Sequence, residues 1–193
     1  KGQLCVERTK SRRNGTLRTG AVRFSKDGEP VHHCHGVSSF SEQTIVTEEV
    51  AIKVTDELPP EHATLLGCGV FTGAGAVMNT ADVEAGSDVV VFGAGGVGLS
   101  AVQGARLRSA GSIVAVDIVP EKLDIAAEVG ATHTIDSSEV DVLERVAEIT
   151  GGGADYAFEI VGNPRVTEQA VGCLAPTGQA VLVGVPPTGP QEV

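Results

Sequence analysis

The stretch that decides the fold is Asp88-Val-Val-Val-Phe92-Gly93-Ala-Gly95-Gly96-Val97-Gly98-Leu-Ser100. An apolar segment of strand length runs directly into a Gly-X-Gly-X-X-Gly loop, and a helix-forming segment follows. In such a loop Gly93 makes the tight turn, Gly95 lets the backbone approach a diphosphate, and Gly98 lets helix and strand pack closely. A diphosphate is therefore expected at the N-terminus of the helix, where free N–H groups and the helix dipole favour negative charge.

An acidic residue completes this pattern. Asp117 ends the next apolar segment, Ile113-Val-Ala-Val116, about twenty residues after the loop, as in sites for NAD. A carboxylate there accepts hydrogen bonds from the adenosine ribose and repels the 2′-phosphate of NADP. The glycine loop and Asp117 together predict an NAD-binding domain with Gly93-Ala94-Gly95-Gly96-Val97-Gly98 as its pyrophosphate loop. The alternative is a glycine-rich turn followed by a surface aspartate.

The sequence after residue 60 alternates short apolar segments with amphipathic ones. This rhythm is typical of βαβ units and predicts an α/β fold with a Rossmann doubly wound parallel sheet. A small-residue helical stretch, broken by glycines, is predicted over Leu65–Asn79. The expected strands are Asp88–Phe92, Ser112–Val116, His133–Ile135, Asp155–Ile160 and Gln179–Val183. The expected helices are Gly98–Ser109, Glu121–Val129, Val140–Ile149 and Arg165–Leu174. Since a complete sheet of this class has six strands, we expect the domain to be incomplete at its C-terminus.

The first 59 residues have a different character. Residues 1–30 are polar and turn-rich, with Asn14-Gly15 and Asp27-Gly28 as turn signals. Three β-prone runs then favour a partial antiparallel β segment: residues 37–40, 44–47 and 50–54. Pro59-Pro60 marks the expected boundary between a domain over 1–59 and the dinucleotide-binding domain over 60–193.

Composition excludes several classes of protein. The net charge is −11, although residues 1–30 carry eight Lys/Arg against three Asp/Glu. The acidic body argues against nucleic-acid binding; the basic start is either a phosphate-binding patch or a solvated loop. No segment is apolar enough to predict a membrane span or a signal peptide. Four widely spaced cysteines indicate a reduced, cytoplasmic protein.

Several ordered segments match one family. They are Val31-His-His-Cys-His-Gly-Val-Ser-Ser-Phe40-Ser-Glu, Leu66-Gly-Cys68-Gly-Val-Phe-Thr72-Gly, the glycine loop, Asp117-Ile118 with Lys122, Glu128-Val-Gly-Ala-Thr132, Phe158-Glu-Ile-Val-Gly162 and Val181-Leu-Val-Gly-Val-Pro-Pro187. With these the chain resembles the zinc-dependent medium-chain alcohol dehydrogenases. The resemblance implies that residues 1–59 are part of the GroES-like catalytic domain, with a remnant of its structural-zinc lobe.

The resemblance also implies roles for single residues. It makes Cys68 a ligand of the catalytic zinc, and it gives Cys5 the place of a structural-zinc ligand. Thr72, Val97, Val183 and Val185 are expected beside the nicotinamide, Lys122 near the adenosine ribose, and Cys34 in the substrate pocket.

A cluster of histidines invites a separate metal interpretation. His33 and His35 would lie on one face of a β segment, and His32 directly precedes them. Two histidines cannot complete a tetrahedral zinc site, and the family places no zinc there. We therefore expect no ligation by this cluster.

The implied reaction is the oxidation of a primary or aromatic alcohol to the aldehyde, with hydride transfer to NAD. The family's other zinc ligands and its proton relay would precede Lys1, so we expect the chain alone to be inactive. The alternatives are a thiol-dependent formaldehyde dehydrogenase, a zinc-free quinone oxidoreductase, and a non-catalytic NAD-binding module. The expected partners are a small alcohol or aldehyde and further copies in a dimer or tetramer.

Overall fold

The computed structural model describes residues 6–34, 39–40, 42–46, 48 and 51–187. They fall into two units, Lys1–Thr55 and Asp56–Val193. The sequence predicts this boundary at Pro59-Pro60. The assignment of the two domains to catalytic and cofactor-binding roles stays a prediction.

The described residues of the first unit include one helix and one β-hairpin. Helix α1 spans Val6–Asn14, and the antiparallel strands are β1 (Phe24–Lys26) and β2 (Glu29–Val31). Asp27 and Gly28 connect the strands with φ of 53° and 84°. Two positive φ values are the signature of the type I′ turn that suits a two-residue hairpin, so the turn predicted at Asp27-Gly28 is confirmed.

Two expectations for this unit were wrong in their placement. Helix α1 occupies part of the segment expected to be turn-rich. Lys and Arg are good helix formers, and Arg12 and Arg13 lie in the last turn, where the helix dipole favours positive charge. The antiparallel pair is the hairpin at 24–31, whereas residues 44–46 and 51–54 form no strand. Ile45 and Ile52 are exposed there; a β-prone run forms a strand only where a partner strand pairs with it.

The second unit begins with a long helical segment. It runs as helix α2 (Pro60–Leu65), a π-helical turn (Leu66–Val70), helix α3 (Phe71–Gly75) and a second π-helical turn (Ala76–Thr80). The predicted breaks at its glycines are wrong, because the segment is continuous. Gly73 shows why a small residue is needed: a Cβ there would overlap the carbonyl oxygen of Val97.

Five parallel strands form the sheet of the second unit, in the spatial order β5-β4-β3-β6-β7. The order is that of the doubly wound class, in which the chain reverses direction across the sheet next to the first strand. The strands are β3 (Asp88–Phe92), β4 (Ser112–Asp117), β5 (His133–Asp136), β6 (Ala154–Glu159) and β7 (Leu174–Leu182). The predicted α/β class is confirmed, although β7 begins earlier than expected.

Four helices cover the sheet, and they are α4 (Gly96–Leu107), α5 (Pro120–Val129), α6 (Val142–Thr150) and α7 (Pro164–Gly172). Their ends follow the local sequence. The Asp141 side chain caps α6 by accepting a hydrogen bond from the Glu144 amide at 3.0 Å. Gly151, with φ of 73°, ends it. Helix α4 begins at Gly96 and not at the predicted Gly98, which places the second half of the glycine loop, from Gly96 to Gly98, in its first turn.

The core lies on both faces of the sheet because side chains alternate along β3. Val89 and Val91 pack with residues of α4 and α5, such as Ala101 and Leu123, on one face. Val90 and Phe92 pack on the other face with residues of α6 and α7. All four β3 side chains are almost completely buried, and a fully buried valine contributes about 1.5–3 kcal/mol. Strand β3 is therefore firmly anchored in the core, and it fixes the start of the glycine loop that follows it.

None of the helices in the described ranges combines the length and the apolarity that a membrane crossing needs.

Candidate functional site

The glycine loop has the geometry that its sequence predicts. Gly93 has φ of 96°, a conformation that favours glycine, and the Val161 side chain lies 2.9 Å from where its Cβ would be. A Cβ on Gly98 would overlap the carbonyl oxygen of Gly93. The turn and the close helix–strand packing therefore both require glycine.

The N-terminus of α4 is open. Gly95 is the N-cap residue, and no side chain bonds to the helix end there. Gly95 and Gly96 are exposed, and a Cβ on either would meet nothing within 4 Å. The free N–H groups of the first turn thus face open space, which is the arrangement that binds a phosphate group.

The carboxylate of Asp117 lies beside this loop. Its Oδ2 accepts a hydrogen bond from the Ala94 amide at 2.7 Å. Its Oδ1 accepts from the amides of Ile118 at 2.8 Å and Val119 at 3.1 Å. The Lys122 Nζ lies 3.7 Å from the same oxygen; Lys122 is 45% exposed and the Asp117 side chain only 8%. Asp117 therefore joins the end of β4 to the glycine loop.

A groove lies between the long helical segment and the end of β7. Its volume is about 400 Å³, and its lining includes Phe71, Thr72, Asn79, Val181 and Val183. Two of the residues expected beside the nicotinamide, Thr72 and Val183, are thus brought together.

The other two residues expected there occupy different positions. The Val97 backbone packs against Gly73, next to the groove. Val185 follows β7 and is 87% exposed. All of these side chains lie at the carboxyl ends of the strands or on the facing helix, where ligands bind in parallel sheets.

Cys68 is exposed within the π-helical turn. In the described part of the chain no three His, Cys, Asp or Glu side chains come together as metal ligands, so these residues alone do not fit a zinc ion. Cys5 and His35 lie outside the described residues. The His33 Nε2 accepts a hydrogen bond from the Arg23 amide at 3.2 Å, and Cys34 is exposed.

Sequence reasoning gave Glu159 no role, although the structure places it in this edge of the sheet. It ends β6, is 2% exposed, and its Oε1 accepts hydrogen bonds from the amides of Val161 and Gly162 at 2.8 and 2.6 Å. An acid directly after the apolar pair Ala157-Phe158 at the end of β6 was the signal that could have identified it.

Known proteins resemble this chain over its whole length. A family model described as "Zinc-binding dehydrogenase" matches residues 96–193. The S-(hydroxymethyl)glutathione dehydrogenase of Synechocystis sp. is 43% identical over 196 residues, which cover 100% of this chain and 53% of that protein. The chain thus spans about half the length of this curated relative.

Solved structures agree with the sequence matches. Benzyl alcohol dehydrogenase from Acinetobacter calcoaceticus superposes with a TM-score of 0.81 at 36% identity, over 97% of this chain and 54% of that one. A zinc-binding dehydrogenase from Sinorhizobium meliloti 1021, bound to NADP, has a TM-score of 0.61 at 32% identity, over 65% and 38% of the two chains.

Proposed function

Because the chain belongs to the zinc-binding dehydrogenases, within the zinc-type medium-chain alcohol dehydrogenase family, we propose that it holds NAD for the oxidation of an alcohol to an aldehyde. One observation carries the proposal: the open N-terminus of α4 lies beside the Asp117 carboxylate, which is bonded to the same loop. A diphosphate and an adenosine ribose need these two features side by side.

The diphosphate is bound by the N–H groups of the first turn of α4, because Gly95 and Gly96 leave the backbone accessible. The ribose hydroxyls donate hydrogen bonds to Asp117. A carboxylate oxygen has two lone pairs, and Oδ2 uses one of them for Ala94. Asp117 therefore has an acceptor position for the ribose without releasing the loop.

The cofactor is NAD and not NADP. A 2′-phosphate beside Asp117 would be repelled by the carboxylate, and Ile118 and Val119 offer it no positive charge. Lys122 already lies against Asp117. One solved relative is bound to NADP. A titration of this chain with NAD and NADP measures its preference between the two cofactors.

The nicotinamide half lies toward the groove, with Thr72, Val97, Val183 and Val185 beside the ring. The bound NAD supplies the redox chemistry, since its C4 accepts the hydride of the alcohol. The protein residues orient the ring and, through their apolar side chains, exclude water from it.

The zinc ligand of this chain is Cys68, and Cys5 is a candidate for the structural site. The described residues hold no complete zinc site. We propose that partners outside the described residues complete it, and that the whole protein is a cytoplasmic homo-oligomer.

Two substrate classes have support. The benzyl alcohol dehydrogenase relative favours a primary or aromatic alcohol. The S-(hydroxymethyl)glutathione dehydrogenase relative, at 43% identity, favours the thiol adduct of formaldehyde. Both carry a –CH2OH group whose carbon gives up a hydride, so we propose substrates with this group as the common class.

The test is a fluorescence titration of the 193-residue chain with NADH. We expect saturable binding that ADP displaces, because ADP carries the adenosine half and the diphosphate. Absence of saturable binding, or binding that ADP leaves unchanged, would contradict the proposed site.

A further inference from the structure

Glu159 is a buried carboxylate at the edge of the sheet where the cofactor is proposed to bind. It is 2% exposed and has no counter-charge among the ion pairs found in the described residues. Burial of a charged group costs free energy unless hydrogen bonds replace the lost water. A role for Glu159 should therefore follow from what its oxygens hold.

The Oε1 atom holds the turn after β6. It accepts hydrogen bonds from the amides of Val161 at 2.8 Å and Gly162 at 2.6 Å. Gly162 has φ of 80°, and the Ile160 amide donates to the carbonyl of Phe92 at 3.0 Å. The turn is thereby fixed against the end of β3.

The Oε2 atom faces the end of β7. It lies 2.6 Å from where a Cβ on Gly184 would be, and the amides of Val183 and Gly184 donate to the Glu159 carbonyl at 2.8 and 2.9 Å. Val161, in turn, contacts Gly93. Glu159 therefore lies between the glycine loop and the segment that carries Val183.

The position of Glu159 assigns it to one half of the cofactor. In a doubly wound sheet the two sets of strands on either side of the first strand each bind one mononucleotide. Asp117 marks the adenosine half at β4, so β6 and β7 carry the nicotinamide half. Resting on the function proposed above, we propose that Glu159 is a positioning residue that fixes the Val161–Gly162 turn and Gly184 as the floor of the nicotinamide half.

The test compares two ligands that share the adenosine half. Glu159→Ala leaves two amides unpaired, so we expect the Kd of NADH to rise about tenfold, while the Kd of ADP changes less than about twofold. Glu159→Gln keeps an oxygen that can accept both hydrogen bonds and should restore NADH binding to within about threefold. Asp155→Asn is the matched control, because Asp155 accepts a backbone hydrogen bond from Asp88 at the opposite end of β6; neither Kd should change.

Other outcomes overturn the inference. Equal losses for NADH and ADP in Glu159→Ala would indicate a general structural role, and unchanged NADH binding would indicate no role. If the alanine variant does not fold, Glu159→Asp, which is too short to reach both amides, replaces it with the same expected results. If the unsubstituted chain binds neither ligand, the proposed function itself fails, and this inference fails with it.

Discussion

The Oδ2 atom of Asp117 accepts a hydrogen bond from the Ala94 amide at 2.7 Å, so the residue proposed to bind the ribose also holds the loop proposed to bind the diphosphate. The two functions are therefore coupled. A substitution at Asp117 changes the shape of the loop as well as the contact with the sugar.

The first prediction follows from this double role. Asp117→Gly should lower NAD affinity by roughly 1.5–3 kcal/mol, the contribution of a charged hydrogen bond. It should also abolish a preference for NAD over NADP of about thirtyfold. The loss of the bond to Ala94 should reduce the free energy of unfolding by about 1 kcal/mol. Titration with both cofactors and urea unfolding measure the three effects. Equal affinity of the unsubstituted chain for NAD and NADP would refute the role of Asp117.

The second prediction concerns the helix N-terminus. Gly95 has φ −79° and ψ −174°, which Asp and Asn adopt readily as N-caps, and there is open space for either side chain. Gly95→Asp should keep or raise stability but reduce NADH affinity at least about tenfold, because its charge repels the diphosphate. Gly95→Asn, which is neutral and of equal shape, is the control. Similar losses in both variants would mean that bulk, and not charge, disturbs the site.

The third prediction separates two glycines of the same loop. Gly98→Ala should destabilise the fold by several kcal/mol, because the new Cβ would overlap the Gly93 carbonyl. Gly96→Ala should be neutral or stabilising by up to about 1 kcal/mol, since its Cβ is unobstructed and alanine favours a helix. Urea unfolding decides it; a tolerated Gly98→Ala would contradict the close packing.

The fourth prediction concerns pH. Burial raises the pKa of the Cys173 thiol from 9.0 to about 11. Between these values the unfolded chain loses the proton while the folded chain keeps it, so the free energy of unfolding falls as pH rises. This contribution is complete below pH 9 and lost by pH 11, and it amounts to about 2–3 kcal/mol.

Other groups titrate in the same range, so the measurement is a difference. Free energies of unfolding are compared between the unsubstituted chain and Cys173→Ala from pH 8 to pH 11. The advantage of the unsubstituted chain should shrink steadily across this window. A constant difference would show that the thiol ionises equally in both states.

The fifth prediction concerns zinc. Cys68 belongs to no group of three potential metal ligands among the described side chains, so the 193-residue chain should retain well under one zinc per chain after dialysis. Elemental analysis of the unsubstituted chain and of Cys68→Ser gives the answer. One tightly held zinc that Cys68→Ser removes would mean that the chain completes the site itself.

Local sequence was sufficient to predict the part of the candidate site that lies within one βαβ unit. Gly93, Gly98 and Asp117 could be assigned because the constraints on them come from a turn, a helix start and a neighbouring strand. The strands β3 and β4 were found for a related reason, since each is a short, mainly apolar run.

Contacts between distant segments were not predictable in the same way. The role of Glu159 depends on Gly184 and on how β6 pairs with β7, and nothing in either segment alone specifies that register. Gly73 packs against Val97 of helix α4, a contact that the sequence of residues 60–80 alone does not reveal. Helix α1 lacks the apolar periodicity that would have revealed it.

The contact between Gly73 and Val97 has a consequence for protein engineering. It joins the helix that carries Cys68 and Thr72 to the helix that begins at the glycine loop, and Gly104 extends the contact along Ala74 and Val77. The two helical segments therefore form a single packing unit. Chimaeras with relatives should exchange residues 60–107 as a block. A crossover inside this range would pair two helices from different proteins, whose closely packed surfaces would not fit each other.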